Sequence, residues 1–200
     1  MVVMAKDTLK NKVERLLRAP VIVSPLRVHG ITLVETSAPK QTETTQRWKA
    51  GLSVEGLAAT LRTKIEFSRS VAAEGQEFAA IDRDLARTYG LPPFLATHYT
   101  AAAAVVQKIQ ALAQRTEPQA RDVFDLHHLF ARPETAALLL NLEQRSSIPV
   151  AVDRAVEISF DDYAAQVVAY LDPAQAELFE SRSAWDAMQE AVVSRLTELR

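Results

Sequence analysis

The residues of this sequence that are best suited to chemistry lie on two neighbouring segments with helical spacing. Lys108 stands among apolar residues on the first segment, and Asp122 and Asp125 stand on the second. The ammonium group of a lysine at such a place can meet a phosphate group as a point charge. Two carboxylates three positions apart share one helix face, so they repel each other unless a cation lies between them or each has its own partner. Helix formation by itself does not require this arrangement.

Both segments also admit a purely structural interpretation. Lys108 lies between Val105 and Ile109, where a lysine can bury its apolar stem and extend its charge into water. Arg121 and Asp125 are four positions apart and can pair along the helix surface. The spacing alone leaves both interpretations open.

Glu66 is a third candidate, on a segment that alternates strictly between apolar and polar residues. In a strand over residues 61–69, Lys64, Glu66 and Ser68 fall on one face. A strand whose only role is to pack in the core does not need a face of charged and polar residues. The alternative is a surface acid beside Lys64 and Arg69, because exposed ion pairs of this kind are common and weak.

Several familiar short motifs are absent from the sequence. It has no Gly-rich phosphate loop, no His-Glu-x-x-His zinc helix and no Gly-x-Ser-x-Gly elbow. His127 and His128 adjoin the acidic segment, but adjacent helical residues point about 100° apart and cannot both simply ligate one ion. Asp161 and Asp162 are expected in the first turn of a helix, where acids meet the positive end of its dipole.

The elements that must position these residues differ between the front and the rest of the chain. Residues 4–18 carry apolar side chains at helical spacing, which predicts an amphipathic helix. Residues 37–45 lack periodicity and predict a polar loop or an irregular strand, and Ser53 can cap a short helix over 54–60. Patterns rich in β-branched residues, or strictly alternating, predict strands at 21–23, 28–34, 46–50 and 61–69.

After about residue 71 the period changes from two to 3.6, which indicates a helical bundle or cap. Gly90, followed by Pro92 and Pro93, is a stop signal, and Thr100 can cap the helix that carries Lys108. Helices are predicted at residues 80–89, 100–114, 118–131, 134–144, 150–157, 161–171, 173–181 and 183–198.

Composition and charge limit the class of protein. The 200 residues are 48% apolar and 24% charged, with no cysteine, so disulfide frameworks, thiolate metal sites and cysteine nucleophiles are excluded. No stretch reaches the roughly 18 apolar residues of a membrane span, and the expectation is a cytoplasmic protein without membrane contact. Residues 1–70 hold 12 Lys and Arg against 6 Asp and Glu. This basic part suits a polyanionic partner such as nucleic acid or nucleotide phosphates, or is simply a solvated surface.

Three segments resemble, in order and spacing, the later motifs of the AbiEii/AbiGii-type toxin nucleotidyltransferases. They are residues 64–69 (KIEFSR), 107–115 (QKIQALAQR) and 120–126 (ARDVFDL). In that family, Lys-x-x-Ala-Leu-x-x-Arg and Arg-Asp-x-x-Asp-Leu patterns follow a strand whose acid completes the active site. The resemblance implies an α+β fold, in which a partial nucleotidyltransferase-like (polymerase-β-like) sheet over residues 1–75 precedes a mainly helical lobe over 76–200.

The resemblance also implies roles for individual residues. Glu66 would be the third carboxylate of the catalytic site and a Mg²⁺ ligand, and Lys108 would bind the triphosphate. Asp122 would be catalytic and, with its neighbours, would bracket the nucleotide. Glu66, Lys108 and Asp122 are therefore expected around one cleft. The residues expected to bind the nucleotide are Lys64, Lys108, Arg115, Arg121 and Asp125.

The family chemistry implied is Mg²⁺-dependent transfer of a nucleotide from NTP to an RNA acceptor such as tRNA, by a toxin that has a cognate antitoxin. Enzymes of the family begin with a Gly-Gly or Gly-Ser turn and an Asp-x-Asp pair that holds magnesium, and this combination does not occur in the 200 residues. We therefore expect the chain to start after that pair and to be inactive by itself, because two-metal transfer needs carboxylates that bridge both ions. The alternative is a non-catalytic remnant, or a helical protein that binds a partner.

Overall fold

The computed structural model describes residues 4–68, 75–88 and 90–200. The chain divides into two compact units, Met1–Ala72 and Ala73–Arg200. Arg69 and Tyr89, which end a predicted strand and a predicted helix, lie outside the described residues. The assignment of residues 1–75 to a partial nucleotidyltransferase core stays a prediction. The division into two units locates the first unit and does not identify its fold family.

Two helices open the first unit. The first, α1 (Lys6–Leu17), confirms the predicted amphipathic helix. The second, α2 (Pro20–Val28), occupies the segment predicted as a strand over 21–23 and a turn, so that prediction is wrong. Pro20 takes the first helical position, where its missing N–H is not needed and its φ already suits a helix. The helix contacts the strand that follows, although none of its own residues is buried.

Three strands form an antiparallel sheet in the order β1-β2-β3. They are β1 (Ile31–Gln41), β2 (Thr45–Val54) and β3 (Leu61–Ser68). The segment 37–45 is largely strand, because β1 continues through irregularities that let it follow β2. The prediction of a helix over 54–60 is wrong: Gly56, at a φ of 84°, turns the chain from β2 towards β3.

Side chains of this sheet alternate between two faces, as the pattern of β3 predicted. Trp48 and Ala50 are buried on one face, and Trp48 meets the ring of Phe67 edge-on at 5.8 Å between centroids. Lys64 and Glu66 alternate with these apolar positions and stand on the other face. The sheet therefore buries its apolar side and presents its charged side to solvent.

The second unit begins with two strands that the periodicity missed. β4 (Gln76–Ala80) and β5 (Leu95–Tyr99) pair antiparallel, with the short helix α3 (Arg83–Thr88) between them. The helix predicted over 80–89 is therefore wrong in its first residues. Asp82 accepts the backbone N–H groups of the next turn, which starts the helix later than the apolar pattern suggested.

Seven α-helices follow among the described residues. They are α4 (Ala101–Gln114), α5 (Ala120–Phe130), α6 (Leu142–Ser146), α7 (Ile148–Glu157), α8 (Phe160–Gln166), α9 (Pro173–Phe179) and α10 (Arg182–Glu198). The predicted helix over 134–144 is wrong, because only a single 3-10 turn forms at Pro133–Thr135. Asn141 then makes a capping box that begins α6 as a separate helix. The predicted helix over 161–171 is divided into α8 and a 3-10 turn at Val168–Tyr170.

These helices share one apolar core. Tyr163 and Trp185 stack in it with ring centroids 4.4 Å apart. The large apolar side chains that α4 and α5 bury in it are Val105, Ile109, Leu112, Val123 and Leu126. The core therefore holds α4 and α5 side by side, with the polar positions of both helices at its margin.

The predicted α+β class is confirmed: small antiparallel sheets accompany a chain that is mostly helical. No described strand follows Tyr99, in agreement with a helical second part. Among residues 4–68, 75–88 and 90–200, no helix is both long and apolar enough to cross a membrane.

Candidate functional site

The helix α4 carries Lys108 at the margin of the core. Thr100 caps the helix, and its hydroxyl accepts the backbone N–H of Ala103 at 3.3 Å. Val105 and Ile109 fix one side of the helix in the core, so Lys108 emerges beside them with 29% of its side chain exposed. Lys108 is therefore held by the packing of its own helix and keeps access to solvent.

The helix α5 carries Asp122 and Asp125 towards α4. Gln166 accepts the backbone N–H of Ala120 at 2.9 Å and so satisfies the first turn of the helix. Asp122 lies in that turn, where the positive end of the helix dipole favours a carboxylate. Its side chain is completely buried, whereas that of Asp125 is 41% exposed.

Four side chains join α4 to α5, and we call them the α4–α5 cluster: Lys108, Arg115, Asp122 and Asp125. Lys108 Nζ donates to Asp122 Oδ1 at 3.0 Å and forms an ion pair with Asp125 Oδ2. Arg115 Nε lies 2.9 Å from Asp122 Oδ2. Lys108 is thus a cation between the two acids, which is one of the two arrangements that their spacing allowed.

The contact of Arg115 with Asp122 is an ion pair without hydrogen-bond geometry. Arg115 Nε and Asp122 Oδ2 are both buried, and neither has a hydrogen-bond partner of suitable direction among the described residues. A buried polar atom without such a bond is costly. Arg115 is held from another side as well, because Arg154 donates a hydrogen bond to its backbone carbonyl.

The electrostatics of the cluster keep Lys108 charged. Burial lowers the pKa of the Lys108 ammonium, but the hydrogen bonds and charges of Asp125 and Asp122 outweigh it, and its pKa is raised above the ordinary value. Two cations and two anions leave the cluster without net charge. An incoming anion must therefore compete with the acids for the two cations.

Arg121 stands apart from this network. It is exposed, and the structure gives it no ion pair among the described residues. The pair with Asp125 that the spacing permits is not formed, because Asp125 turns to Lys108 instead. Arg121 directly precedes Asp122 in α5, and its exposed guanidinium carries one positive charge.

Glu66 lies in the first unit, on β3. It is directly opposite Arg47 of β2 in the register, and the two side chains form an ion pair. The hydrogen bond from Arg47 lowers the pKa of the Glu66 carboxyl, with smaller contributions from the charges of Arg47, Lys64 and Lys40. The expected convergence of Glu66 with Lys108 and Asp122 around one cleft stays a prediction.

Two partners of these residues were not found from the sequence. Arg47 faces Glu66 across the strands, and the signal for it is the strand register rather than any spacing along the chain. Arg154 reaches the carbonyl of Arg115 from α7, which is a contact between helices distant in sequence. Neither contact has a signal in local periodicity.

A literal Asp-x-Asp sequence occurs at Asp82 and Asp84, without a Gly-Gly or Gly-Ser turn before it. Asp82 is occupied in capping α3, and Asp84 pairs with Arg87 at 3.1 Å. Within the described ranges, no group of three or more His, Asp and Glu is placed to hold a metal ion. The assignment of Mg²⁺ to Glu66 stays a prediction.

Comparison with known proteins supplies the family context for this geometry. The family model described as nucleotidyl transferase AbiEii toxin, Type IV TA system, matches residues 4–198. The comparison with curated proteins found no match.

Two solved structures from Helicobacter pylori are similar to this chain. One is a protein ascribed to the nucleotidyltransferases, with 20% identity, a TM-score of 0.49, and coverage of 86% of this chain and 70% of that one. The other is JHP933, with 20% identity, a TM-score of 0.48, and coverage of 85% and 68%.

Proposed function

The chain belongs to the AbiEii nucleotidyl transferase toxin family, and from this premise we propose that its α4–α5 cluster binds the phosphates of an NTP. The chemistry proposed is the Mg²⁺-dependent transfer of a nucleotide from NTP to an RNA acceptor such as tRNA. The protein would be the toxin of a type IV toxin–antitoxin pair, with its cognate antitoxin as partner.

One observation carries this proposal. Lys108 and Arg115 come from one motif and Asp122 and Asp125 from the other, and all four meet in a single partly exposed cluster. A helix pair that only needed to pack would be served by apolar contacts, since buried ion pairs contribute little net stability. Two adjacent cations at a solvent-accessible margin suit a polyphosphate instead.

The remaining candidates take supporting roles in this proposal. Arg121 is exposed, directly precedes Asp122 in α5, and would add a bidentate contact to a phosphate. Lys64 stands on the charged face of the first unit's sheet, next to Glu66, and would bind the nucleotide there. Glu66 would ligate Mg²⁺, which would neutralise charge that develops on the transferred phosphoryl group. Asp122, completely buried, serves the catalytic site through the cations that it holds.

The place of action follows from the chemistry. NTP, Mg²⁺ and tRNA are present together in the cytoplasm, so we propose that the protein acts there. Binding of a basic surface to RNA would be sensitive to salt. The front of the chain, with an excess of Lys and Arg over Asp and Glu in residues 1–70, is where we expect such contacts.

A second candidate function is a non-catalytic protein that binds NTP or a partner without transfer. The ion pair of Glu66 with Arg47 favours it, because a carboxylate held by a guanidinium must exchange that partner before it can ligate a metal ion. Where it binds NTP, the second candidate shares the phosphate-binding cluster with the first and differs from it only in turnover.

The experiment is equilibrium binding of each NTP to the purified chain with Mg²⁺, followed by incubation with labelled NTP and bulk tRNA. We expect saturable NTP binding. Label on tRNA would show that these 200 residues transfer a nucleotide by themselves, against the expectation from the missing Asp-x-Asp motif. Binding without label would agree with that expectation and with the second candidate. The absence of binding by any NTP would contradict the proposal.

A further inference from the structure

The two acids of the α4–α5 cluster differ in burial and in the number of their partners. Asp122 is completely buried and contacts two cations, one through each oxygen. Asp125 is 41% exposed and forms its ion pair with Lys108 alone in the described part of the chain. Two carboxylates on one helix face thus have unequal surroundings.

The carboxylate of Asp122 cannot contact a bound ligand directly. Its side chain has no solvent-exposed surface, and its two oxygens lie within 3.0 Å of Lys108 Nζ and Arg115 Nε. These contacts bring Lys108 of α4, and Arg115 directly after that helix, to one carboxylate of α5. The buried oxygen without a well-directed hydrogen bond faces Arg115, so that the pair is held by charge.

The carboxylate of Asp125, in contrast, can separate from Lys108 without becoming a buried charge that has no partner. Its exposed part is already hydrated, and a rotation of its side chain would transfer the carboxylate to water at small cost. Lys108 would then keep its bond to Asp122 and regain an open donor position. An ammonium group has three donors, so it can hold Asp122 and a phosphate oxygen together.

We infer that Asp122 is the positioning residue that sets Lys108 and Arg115 side by side, and that Asp125 is a counter-ion that a triphosphate displaces from Lys108. The inference rests on the proposed function, because it concerns the same phosphate site. No covalent bond changes in this step: one anionic partner of Lys108 replaces another. The raised pKa of the Lys108 ammonium agrees with this account, since it keeps the charge for which both anions compete.

The experiment measures the binding of inorganic triphosphate by calorimetry. The proteins are the wild type, Asp125→Asn, Asp122→Asn and, as the charge-matched control, Asp161→Asn, which removes an exposed acid of α8. We expect Asp125→Asn to bind several-fold more tightly than both the wild type and the control. We expect Asp122→Asn to bind roughly tenfold more weakly, because both cations lose their common anchor.

A double-mutant cycle tests whether Asp122 acts on triphosphate binding through Lys108. Lys108→Met should weaken triphosphate binding strongly in the wild type and much less in Asp122→Asn, where Lys108 is already displaced. If Asp122→Asn does not fold, the Asp125→Asn comparison still decides whether Asp125 is the counter-ion that a triphosphate displaces.

The outcomes distinguish this inference from the proposed function. If the wild type binds and Asp125→Asn binds equally or more weakly, the inference is overturned while the phosphate site stands. If only Asp125→Asn binds, the inference is supported in its strongest form. If neither protein binds, both the inference and the phosphate site are contradicted.

Discussion

Lys108 Nζ lies 3.0 Å from Asp122 Oδ1, although 14 positions separate the two residues along the chain. The contact joins α4 to α5 at the margin of the apolar core that the two helices share. Because Asp122 is completely buried, the bond provides a charge partner that the carboxylate cannot obtain from water. The same contact serves the stability of the helix pair and the arrangement of the proposed phosphate site.

Removal of the Asp122 carboxylate should destabilise the protein. Asp122→Ala leaves Arg115 without its counter-ion and empties a buried position, and we expect a loss of about 2–3 kcal/mol in the free energy of unfolding. This lies below the ~3–5 kcal/mol for a fully buried pair, because both cations keep some solvent contact. Urea denaturation checks it, with Asp125→Ala, expected below about 1 kcal/mol, as the matched control. Equal effects of the two substitutions would contradict the assigned burial.

The stability that the charged Lys108 side chain contributes should be lost at strongly alkaline pH. Its pKa is raised above the ordinary 10.5, so its stabilising contribution is fully present below that pH and is lost as pH rises through the higher folded-state value. Lys108→Met should therefore be less stable than the wild type near neutral pH, and the difference should shrink at strongly alkaline pH. Denaturant midpoints across this range test it, and a difference that does not change with pH would argue against a charged role.

Arg47 should control the titration of Glu66. The guanidinium lowers the pKa of the Glu66 carboxyl from its ordinary 4.5, so Arg47→Gln should raise that pKa towards 4.5. Carboxyl NMR during an acid titration measures it directly. The matched control is Arg62→Gln, which removes a cation paired with Glu35 at 2.8 Å on the same sheet and should change the Glu66 titration less.

The stability that the Glu66 ion pair contributes is present above the unfolded-state pKa and is lost as pH falls through the lower folded-state value. A Glu66 titration identical in the wild type and in Arg47→Gln would show that the ion pair does not form in solution.

The hydroxyl of Thr100, which caps α4, should contribute measurably to the stability of the protein. Thr100→Ala removes the acceptor for the Ala103 N–H and should cost about 1 kcal/mol of unfolding free energy. Thr116→Ala, at an exposed position between α4 and α5, should cost close to nothing. Thermal and urea unfolding of both variants measure the difference. A loss as large in Thr116→Ala would assign the effect to something other than capping.

The sequence predicted those elements whose local signals agree with their tertiary setting. Thr100 as a cap and the apolar spacing of Val105 and Ile109 sufficed to locate α4, because the helix buries the face that its period defines. Strict alternation located β3 equally well. The sequence also indicated that Asp122 and Asp125 needed either a cation between them or a partner each, and Lys108 contacts both.

Other features depend on contacts between distant segments. Val-Ile-Val after Pro20 has strand propensity, yet it lies in α2, a helix that begins at Pro20 and contacts β1. The strands β4 and β5 pair across 14 intervening residues, which no local period reveals. The partner of Glu66 followed from strand register, and the burial of Asp122 followed from how α4 and α5 pack. Local pattern therefore identified residues with unusual charge, and tertiary packing determined which of them meet.

The most direct test of the phosphate site is the calorimetric affinity for NTP of the wild type, Lys108→Met and Lys10→Met. Lys10 is a matched control, because it is a partly exposed helical lysine that pairs with Glu14 within α1. A charge-assisted hydrogen bond contributes about 1.5–3 kcal/mol, so Lys108→Met should lose roughly tenfold or more in affinity, and Lys10→Met should bind as the wild type does. If the wild type and Lys108→Met bind NTP equally well, Lys108 is only a structural partner of Asp122 and the proposed phosphate site is wrong.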